Sequence, residues 1–528
     1  MKSSMKKLFG TALALMMVFC LLMSSASACT LLYVGSALTA DGATIFGRSE
    51  DMSNDMNKLF YVAESGAHKE GEVYEGCYGF TWTFTHDSYG YTAFSDDNGE
   101  GVGHVCPDCE VDDPTHPHSP YQAAGTNEKG LSMTATETLY PNRALTAVDP
   151  CPDDGIEEAE LVTVILSEAA TAKEAVDLFL SILDESGSCT PAGLIIADAS
   201  EAWYIENMTG HQYIAVKLND SIILSQPNMT IIGLVDLDDT DNIIASKDVI
   251  AVAKDAGTYV GDEEANTINY VLSYVGSSSA SARMVSAMNF LDPEYADAAA
   301  EAIVPDDTYL ITNVDADGNI VPLHTGITLD QPFTAADAQN YFRCDNITRT
   351  GNLETHIFQI YNDSPLGTVE WVGMDYCAAT VFVPYYPMLT TDVDASYKLS
   401  TAKASFVEEA PEAGAYYAAT TTRRDAEGNR VTVNGFKVFP ENWADSMYWA
   451  FDAMSNILLS EKVDEAQKAA AYETVYAKQA EINDAFQALS AEIADAADPA
   501  ALATAWSMEK AQDAQQMAVQ LVNGWLAE

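Results

Sequence analysis

Residues 29–51 read CTLLYVGSALTADGATIFGRSED, and this stretch contains two β-strand patterns separated by a turn. The first pattern extends from Thr30 to Ser36 and alternates as a strand does, and the second extends from Ala43 to Gly47. Between them lies Asp41-Gly42, and Asp-Gly between two strand patterns is a strong signal for a β-hairpin. The stretch therefore predicts an antiparallel hairpin that begins immediately after Cys29.

The hairpin also predicts where its second strand returns. With the turn centred on Asp41-Gly42, Asp51 lies opposite Leu32, three residues from Cys29. That separation is about 10 Å at ~3.3 Å per residue, a gap that a bulge, the strand twist or a side chain closes. We therefore expect the charged group from Arg48 to Asp51 to return toward Cys29, with a solvated loop end as the alternative.

The residues before Cys29 have the pattern of a secretory signal peptide. A basic start is followed by an apolar run from Leu8 to Met23 and then by Ala26-Ser27-Ala28, an A-x-A cleavage pattern. We interpret residues 1–28 as a signal peptide whose removal makes Cys29 the first residue of the mature chain. We expect the protein to be secreted or to lie at the exterior of the cell envelope.

Cys29 at a new N-terminus would carry a thiol and a free α-amine on one residue. The ordinary pKa of an α-amine is about 7.7–8.0, so it acts as a base near neutrality, and a thiol is the readiest side-chain nucleophile. Two other interpretations stay open: Cys29 forms a disulfide, or it is lipidated as in a lipoprotein. Ala26 stands where a lipobox normally has leucine. Lipidation would consume both the thiol and the amine.

The charge balance is strongly acidic, with 79 Asp and Glu residues, 25 Lys and Arg residues and a formal net charge of −54. Such a surface repels nucleic-acid phosphates and anionic lipids, which argues against both as partners. Apolar runs after residue 28, such as Ser221–Leu224, are too short to span a bilayer. We expect neither a nucleic-acid partner nor a membrane span, and the oligomeric state stays open.

The cysteines after residue 28 are Cys29, Cys77, Cys106, Cys109, Cys151, Cys189, Cys344 and Cys377. If Cys29 is the nucleophile, an odd number is left, so at least one other thiol stays free or pairs between chains. The segment from His104 to His118 is rich in proline and is interpreted as a rigid surface loop with a disulfide. The alternative is a zinc site, and its four ligands would be Cys106, Cys109, His116 and His118. The chemistry expected of Cys29 needs no metal and no cofactor.

The order of the patterns indicates an α+β fold, because strands are followed by helices and then by strands again. Helical apolar spacing covers Glu158–Ala170 and Ala172–Leu183. Strand patterns cover Ala192–Ala197, Ala202–Glu206, His211–Lys217, Ser221–Leu224, Glu354–Tyr361, Thr368–Val372 and Thr380–Val383. From about Trp443 the composition becomes typical of helices. We predict a main domain over residues 29–440 and a C-terminal helical region over residues 441–528.

Four stretches together resemble the secreted dipeptidase (dipeptidase A-like) family of cysteine N-terminal-nucleophile (Ntn) hydrolases. They are CTLLYVGSALTADGATIFGRSED (29–51), TNEKGL (126–131), QPNMTIIGLVDLDDTDNIIASKDV (226–249) and ETHIFQIYNDSPLGTVEWVG (354–373). TNEKGL is shared more broadly with the penicillin V acylase and bile salt hydrolase relatives. Members of the family begin with Cys-Thr and carry an Arg-x-Glu-Asp element, which matches Arg48 to Asp51 here.

The resemblance implies a four-layer αββα Ntn-hydrolase sandwich, to which this chain adds a C-terminal helical appendage. It implies that Cys29 is the nucleophile at the start of a central strand and that Arg48 stabilises its thiolate. It further implies that Asp51 orients the α-amine and that Asn228 binds the oxyanion of the tetrahedral intermediate. A turn residue after Pro227 is the alternative for Asn228.

The chain departs from the family pattern at two places. The relatives often have a second Asn shortly after the NE-x-G element, where this chain leaves a backbone N–H near Thr136 as the candidate second oxyanion donor. The additional Arg of the acylase branch has no clear counterpart, so Arg343 and Arg349 are candidates outside the catalytic set. His356 lies in a strand pattern and is interpreted as structural, with a role as catalytic base as the alternative.

The sequence therefore predicts an exported cysteine peptidase that hydrolyses dipeptides or small peptides, with the α-amine of Cys29 as the general base. The alternative among enzymes is an amidase or acylase that acts on N-acyl or bile-salt-like amides, because the nucleophile alone does not set the substrate. The alternative outside catalysis is an acidic envelope-binding protein in which Cys29 is lipidated or disulfide-bonded.

Overall fold

The protein is described by a computed structural model of the chain. The described residues are 29–52, 56–76, 79–97, 121–137, 139–275, 282–291, 329–362, 366–424 and 429–527. The predicted signal peptide, Cys77 and the segment from His104 to His118 lie outside these ranges. The expectations for those residues therefore stay predictions.

The strands and helices are numbered in chain order. The strands are β1 Thr30–Val34, β2 Thr44–Asp51, β3 Lys58–Ala63, β4 Val73–Glu75, β5 Thr81–Thr83, β6 Tyr91–Asp96, β7 Gln122–Asn127, β8 Ser132–Thr136, β9 Ala192–Ala197, β10 Ala202–Asn207, β11 Tyr213–Leu218, β12 Ile223–Pro227, β13 Leu234–Asp236, β14 Ile243–Ala245, β15 Gly261–Asp262, β16 Thr267–Asn269, β17 Asn352–Ile360, β18 Thr368–Met374, β19 Val383–Tyr385, β20 Ser405–Val407, β21 Tyr416–Arg424 and β22 Arg430–Val438. The helices are α1 Arg143–Val148, α2 Glu158–Glu168, α3 Ala172–Glu185, α4 Val249–Asp255, α5 Tyr270–Tyr274, α6 Ala282–Leu291, α7 Ala335–Phe342, α8 Met447–Leu459, α9 Glu465–Asp495 and α10 Pro499–Ala527.

Strand β1 lies inside a six-stranded antiparallel sheet with the order β12-β1-β2-β17-β18-β19. Every residue of β1, β17 and β18 is buried, so these strands are covered on both faces. Gly47 allows β2 and β17 to approach closely, because a Cβ there would lie 2.2 Å from the carbonyl oxygen of His356. Strand β1, which follows Cys29, thus pairs with β12 on one side and with β2 on the other.

A second, eight-stranded sheet has the order β14-β11-β10-β9-β8-β7-β6-β3. Polar side chains of the six-stranded sheet reach its backbone and hydroxyl groups. His356 Nε2 on β17 lies 2.8 Å from Thr134 Oγ1 on β8, and the hydroxyl of Thr92 on β6 donates to Glu370 on β18 over 2.5 Å. The two sheets therefore contact each other through a buried layer that contains polar groups as well as apolar ones.

The helices contact both sheets. Helix α2 contacts β7 and β8, and α3 contacts β9 and β10, through a buried apolar cluster. Helices α6, α7, α8 and α10 contact strands of the six-stranded sheet, and Ser507 on α10 donates to the carbonyl of Pro384 over 2.7 Å. The fold is therefore a mixed helix and sheet fold. No helix of the described residues is both long and apolar enough to cross a membrane.

The β1–β2 connection differs from the predicted two-residue turn. The chain forms a 3₁₀ turn at Ser36–Leu38, and the Thr39 hydroxyl donates to the carbonyl of Ala43 over 2.8 Å. These extra residues in the connection change the register, so Leu32 lies opposite Gly47 and not opposite Asp51. The predicted register was wrong, and the observed one brings Asp51 still closer to Cys29.

The predicted strand Thr380–Val383 was also largely wrong. A 3₁₀ turn at Cys377–Ala379 delays pairing with β18 until Val383, where β19 begins. The sequence patterns did not reveal the three-stranded sheet formed by β20, β22 and β21 either.

Candidate active site

Cys29 lies directly before β1, between the ends of two neighbouring strands. Thr30 pairs with Ser49 of β2 on one side and with Pro227 of β12 on the other. One further step along each strand brings Glu50 and Asn228 to the level of Cys29. The Cys29 side chain is 4% exposed and its thiol is free. The sheet therefore brings the strand ends predicted to carry the catalytic groups to Cys29.

Arg48 is fully buried on β2, opposite Leu31. Its guanidinium donates to the carbonyl of Ala135 on β8 and forms an ion pair with Glu158, with 2.5 Å between Nη1 and Oε1. Two more carboxylates lie farther away, with Glu50 at 3.4 Å and Glu354 at 3.7 Å from Nη2. Burial opposes the charge of Arg48, yet Cys29 and these carboxylates hold the pKa of Arg48 well above its ordinary value.

Asp51 is buried at the end of β2 and is held from two sides. Arg283 on α6 donates to Oδ2 of Asp51, and Asn352 on β17 donates to Oδ1. A register shift in β17 lets Asn352 pair with Asp51 while Glu354 pairs with Glu50, a β-bulge that aims one side chain into the site. Asp51 thus lies within a network of donors.

Sequence reasoning missed Arg283. Its Nη1 donates to the carbonyl of Cys29 over 3.2 Å and to the Thr30 hydroxyl over 3.0 Å, while its Nη2 pairs with Asp51. The pair with Asp51 spans 232 residues of sequence, and no local motif marks Arg283. The only available signal was that a buried Asp51 requires a cation.

The two other arginines that sequence analysis considered differ from Arg283. Arg343 lies over the rings of Phe382 and Tyr476 and donates to Gln479 over 3.4 Å. Arg349 lies close enough to Asp51 to influence its pKa. Among these three arginines, the one that contacts the backbone of Cys29 is Arg283.

Asn228 follows β12 with a φ of 54°, in the left-handed region. The loop behind it is fixed to the other sheet by Glu206 on β10. Glu206 Oε1 accepts from the backbone N–H of Ile231 over 2.6 Å, and Gln226 donates to the carbonyl of Met229 over 3.1 Å. The amide of Asn228 is thus carried on a loop with a defined conformation next to Cys29.

Burial, more than the surrounding charges, favours the protonated form of the Cys29 thiol. Burial raises the pKa of the Cys29 thiol to about 12; Arg48 acts in the opposite direction, and Glu158, Asp51 and Glu50 add to the rise. Burial also raises the pKa of Asp51 to about 6, against the lowering effect of Arg283. A thiol in this state needs a base close to it before it can attack.

His356 does not have the contacts of a base for Cys29. Its Nδ1 lies 2.9 Å from Glu354 Oε2 and its Nε2 lies 2.8 Å from the Thr134 hydroxyl, so both ring nitrogens are engaged between the sheets. Burial lowers the pKa of His356. These contacts agree with the structural interpretation of this residue.

A backbone N–H next to Thr136, the candidate second oxyanion donor, is already engaged by Glu158. The next backbone N–H, that of Glu137, donates to Glu158 Oε2 over 3.1 Å. A second oxyanion donor near Thr136 stays a prediction.

Among the described residues no group of three or more His, Cys, Asp or Glu side chains could hold a metal ion.

Comparisons with known proteins identify the family of this chain. The model of peptidase family C69 matches residues 28–423. A protein named "Probable dipeptidase B" from Streptococcus pyogenes serotype M1 is 31% identical over 418 residues, which cover 75% of this chain and 79% of the relative. A "Probable dipeptidase" from Salmonella dublin is 28% identical over 381 residues, which cover 69% of this chain and 82% of the relative.

Among solved structures, penicillin V acylase from Agrobacterium tumefaciens matches with 13% identity and a TM-score of 0.29, covering 68% of this chain and 86% of that chain. The family model itself extends over three quarters of the sequence and begins one residue before Cys29. The chain therefore belongs to peptidase family C69.

Proposed function

We propose that this chain is an exported cysteine-type dipeptidase whose nucleophile is Cys29. The observation that carries the proposal is the placement of Cys29 between the ends of β2 and β12, with Arg48, Asp51 and Asn228 around it. Two relatives named as dipeptidases support dipeptides as the substrate class. The signal-peptide pattern of residues 1–28 supports export and the removal of those residues.

The proposed reaction proceeds through an acyl-enzyme. The α-amine of mature Cys29 takes the thiol proton, and the thiolate attacks the scissile carbonyl carbon. The tetrahedral intermediate collapses as the C–N bond breaks, and the ammonium of Cys29 returns the proton to the leaving amine. Water then attacks the thioester, with the same amine as base, and releases the carboxylic acid and the free thiol.

Each neighbouring group has a distinct role in this proposal. Arg48 supplies positive charge next to the thiolate, and Asp51 orients the α-amine together with its partners Arg283 and Asn352. The side-chain N–H of Asn228 donates to the oxyanion, because an amide points a partial positive charge at it without adding a net charge. We further propose that the two sheets and the helices on them form the four-layer αββα arrangement of Ntn hydrolases, with residues 441–528 as a helical appendage.

Substrate choice is tested directly with the purified mature protein. We expect hydrolysis of a panel of dipeptides and little hydrolysis of N-acyl or bile-salt-like amides. Turnover of the amides with no turnover of any dipeptide would replace the dipeptidase by the amidase alternative.

Asp51→Asn is expected to shift the acid limb of the pH–rate profile to lower pH. A nearby carboxylate favours the protonated form of the α-amine, so its neutralisation lowers the pKa of the amine, by roughly half a unit or more. Since the pKa of Asp51 is about 6, the wild-type carboxyl is protonated below that pH, and the two profiles should converge there. Steady-state kinetics on one dipeptide between pH 5 and pH 9 measure the shift.

Asp41→Asn is the matched control for this prediction. Asp41 belongs to the β1–β2 connection, where it accepts from Gln359 over 2.6 Å and from Tyr361 over 2.9 Å, outside the site. Its profile should follow the wild type. An Asp51→Asn profile that also follows the wild type at every pH would remove Asp51 from the mechanism.

A further inference from the structure

Glu158 is the nearest charged partner of Arg48, and sequence analysis did not single it out. It is the first residue of α2 and is 4% exposed. Its Oε1 lies 2.5 Å from Arg48 Nη1, and its Oε2 accepts from the Tyr121 hydroxyl over 3.0 Å and from the Glu137 N–H over 3.1 Å. The carboxylate is therefore held by donors from three separate segments of the chain.

The other two carboxylates near Arg48 have further partners. Glu50 lies 2.7 Å from Lys58 Nζ, and Glu354 lies 2.9 Å from Nδ1 of His356. The contacts of Glu158 besides Arg48 are a hydroxyl and a backbone amide. Among the carboxylates that pair with Arg48 in the described residues, Glu158 is the one closest to its guanidinium, at 2.5 Å against 3.4 Å for Glu50 and 3.7 Å for Glu354.

Opposing influences act on the charge of Glu158, and burial leaves its pKa above the ordinary value. The amide dipoles of the first turn of a helix stabilise a negative charge, and α2 has eleven residues. Burial raises the pKa of Glu158, while Arg48 and Tyr121 lower it and the nearby Glu50 raises it. At Cys29, Glu158 raises the pKa of the thiol together with Asp51 and Glu50, and Arg48 lowers it.

We propose that Glu158 is a positioning residue for the Cys29 site, which fixes the guanidinium of Arg48 and offsets its positive charge beside the thiol. The proposal rests on the proposed role of Cys29 as nucleophile. In the free enzyme the pairing with Glu158 offsets part of the support that Arg48 gives the thiolate. The proton therefore stays on sulfur until the α-amine removes it, which protects the thiol from adventitious electrophiles.

The sign of the effect follows from the charges. Removal of the Glu158 charge removes a repulsion on the thiolate and also frees the charge of Arg48, and both changes favour the thiolate. Removal of Arg48 has the opposite effect. A purely structural role for Glu158 does not predict opposite signs for these two changes.

The test is the rate at which iodoacetamide alkylates Cys29 at several pH values, read from the Cys29 peptide by mass spectrometry. Glu158→Gln keeps the size and one acceptor oxygen, and it should raise the alkylation rate at neutral pH about tenfold, the effect of about one pKa unit. Arg48→Ala should lower the rate. An alkylation rate of Glu158→Gln that equals or falls below the wild-type rate would overturn the proposal.

Glu370→Gln is the control for the loss of a buried carboxyl group as such, because Glu370 is also fully buried, on β18, where it accepts from Thr92 over 2.5 Å and burial raises its pKa to about 8. Its rate should stay within about twofold of the wild type, a change too small to reflect a shifted thiol pKa. If Glu158→Gln does not fold, Glu158→Asp serves instead, since it withdraws the charge by one methylene. It should raise the rate about two- to threefold, and no rise in a folded Glu158→Asp protein would overturn the proposal.

Dipeptide hydrolysis is measured on the same samples so that the two proposals are tested separately. If wild-type protein hydrolyses no dipeptide while the alkylation rates change as expected, the dipeptidase proposal fails and the electrostatic role of Glu158 stands. If dipeptides are hydrolysed and Glu158→Gln does not accelerate alkylation, the role of Glu158 fails alone.

Discussion

Cys29→Ala is expected to abolish dipeptide hydrolysis by the mature protein while leaving the fold intact. Loss of a covalent nucleophile typically costs at least about 10⁴-fold in turnover. The fold should survive, because the thiol forms no disulfide and alanine occupies less volume at this buried position. Cys29→Ser should retain little activity, since a hydroxyl is the weaker nucleophile in this setting. The measurement is hydrolysis of one dipeptide alongside a thermal melt of each variant.

Cys344→Ser is the control for this series. Cys344 is a free, half-buried cysteine beyond the end of α7, and it donates to the carbonyl of Asn340 over 3.5 Å. Its activity should match the wild type. Full activity in a folded Cys29→Ala protein would move the chemistry to another part of the chain.

Asn228→Ala is expected to lower kcat by about 10²–10³-fold with little change in KM, the usual loss for an oxyanion donor. The left-handed φ of 54° at this position affects how the alanine variant is interpreted. Alanine is strained there, so part of a loss could come from the backbone and not from the missing amide. Asn228→Gly separates the two causes because glycine adopts this conformation at no steric cost.

The two Asn228 variants should therefore behave alike in kcat and differ in stability, with the glycine variant melting at the higher temperature. Recovery of wild-type kcat in Asn228→Gly would show that Asn228 is a turn residue, which was the alternative drawn from Pro227. Asn242→Ala, in an exposed turn where the side chain donates to Asp239 over 3.1 Å, should leave kcat unchanged.

The elements with continuous apolar patterns were predictable from the sequence. Strand β9 has the predicted bounds, and helices α2 and α3 begin at the predicted residues. The resemblance to the Cys-type Ntn family predicted the family that the comparisons confirm. Local periodicity and short motifs carry this information because both depend on neighbours in sequence.

The features that sequence analysis missed depend on distant parts of the chain. The register of β1 and β2 follows from a 3₁₀ turn that no local signal marked. Arg283 reaches Asp51 from a helix 232 residues away, and Glu158 reaches Arg48 from one 110 residues away. Such ion pairs form only where tertiary packing excludes water, so a single sequence does not reveal them.

The hairpin of β21 and β22 was missed for a different reason. About half of its residues are exposed, and β21, rich in Thr and Arg, lacks the apolar alternation that marks a half-buried strand. In β22 the alternation is confined to Val431 and Val433. The charged residues predicted to return toward Cys29 do so, although by another register than the sequence suggested.

The proposed mechanism requires a free α-amine at Cys29, and intact-mass analysis of the active protein from the culture medium tests this requirement directly. The predicted mass is that of a chain that begins at Cys29 with an unmodified thiol and amine, confirmed by sequencing of the N-terminal peptide. A lipidated Cys29, or an active form that begins several residues before or after it, would contradict the mechanism.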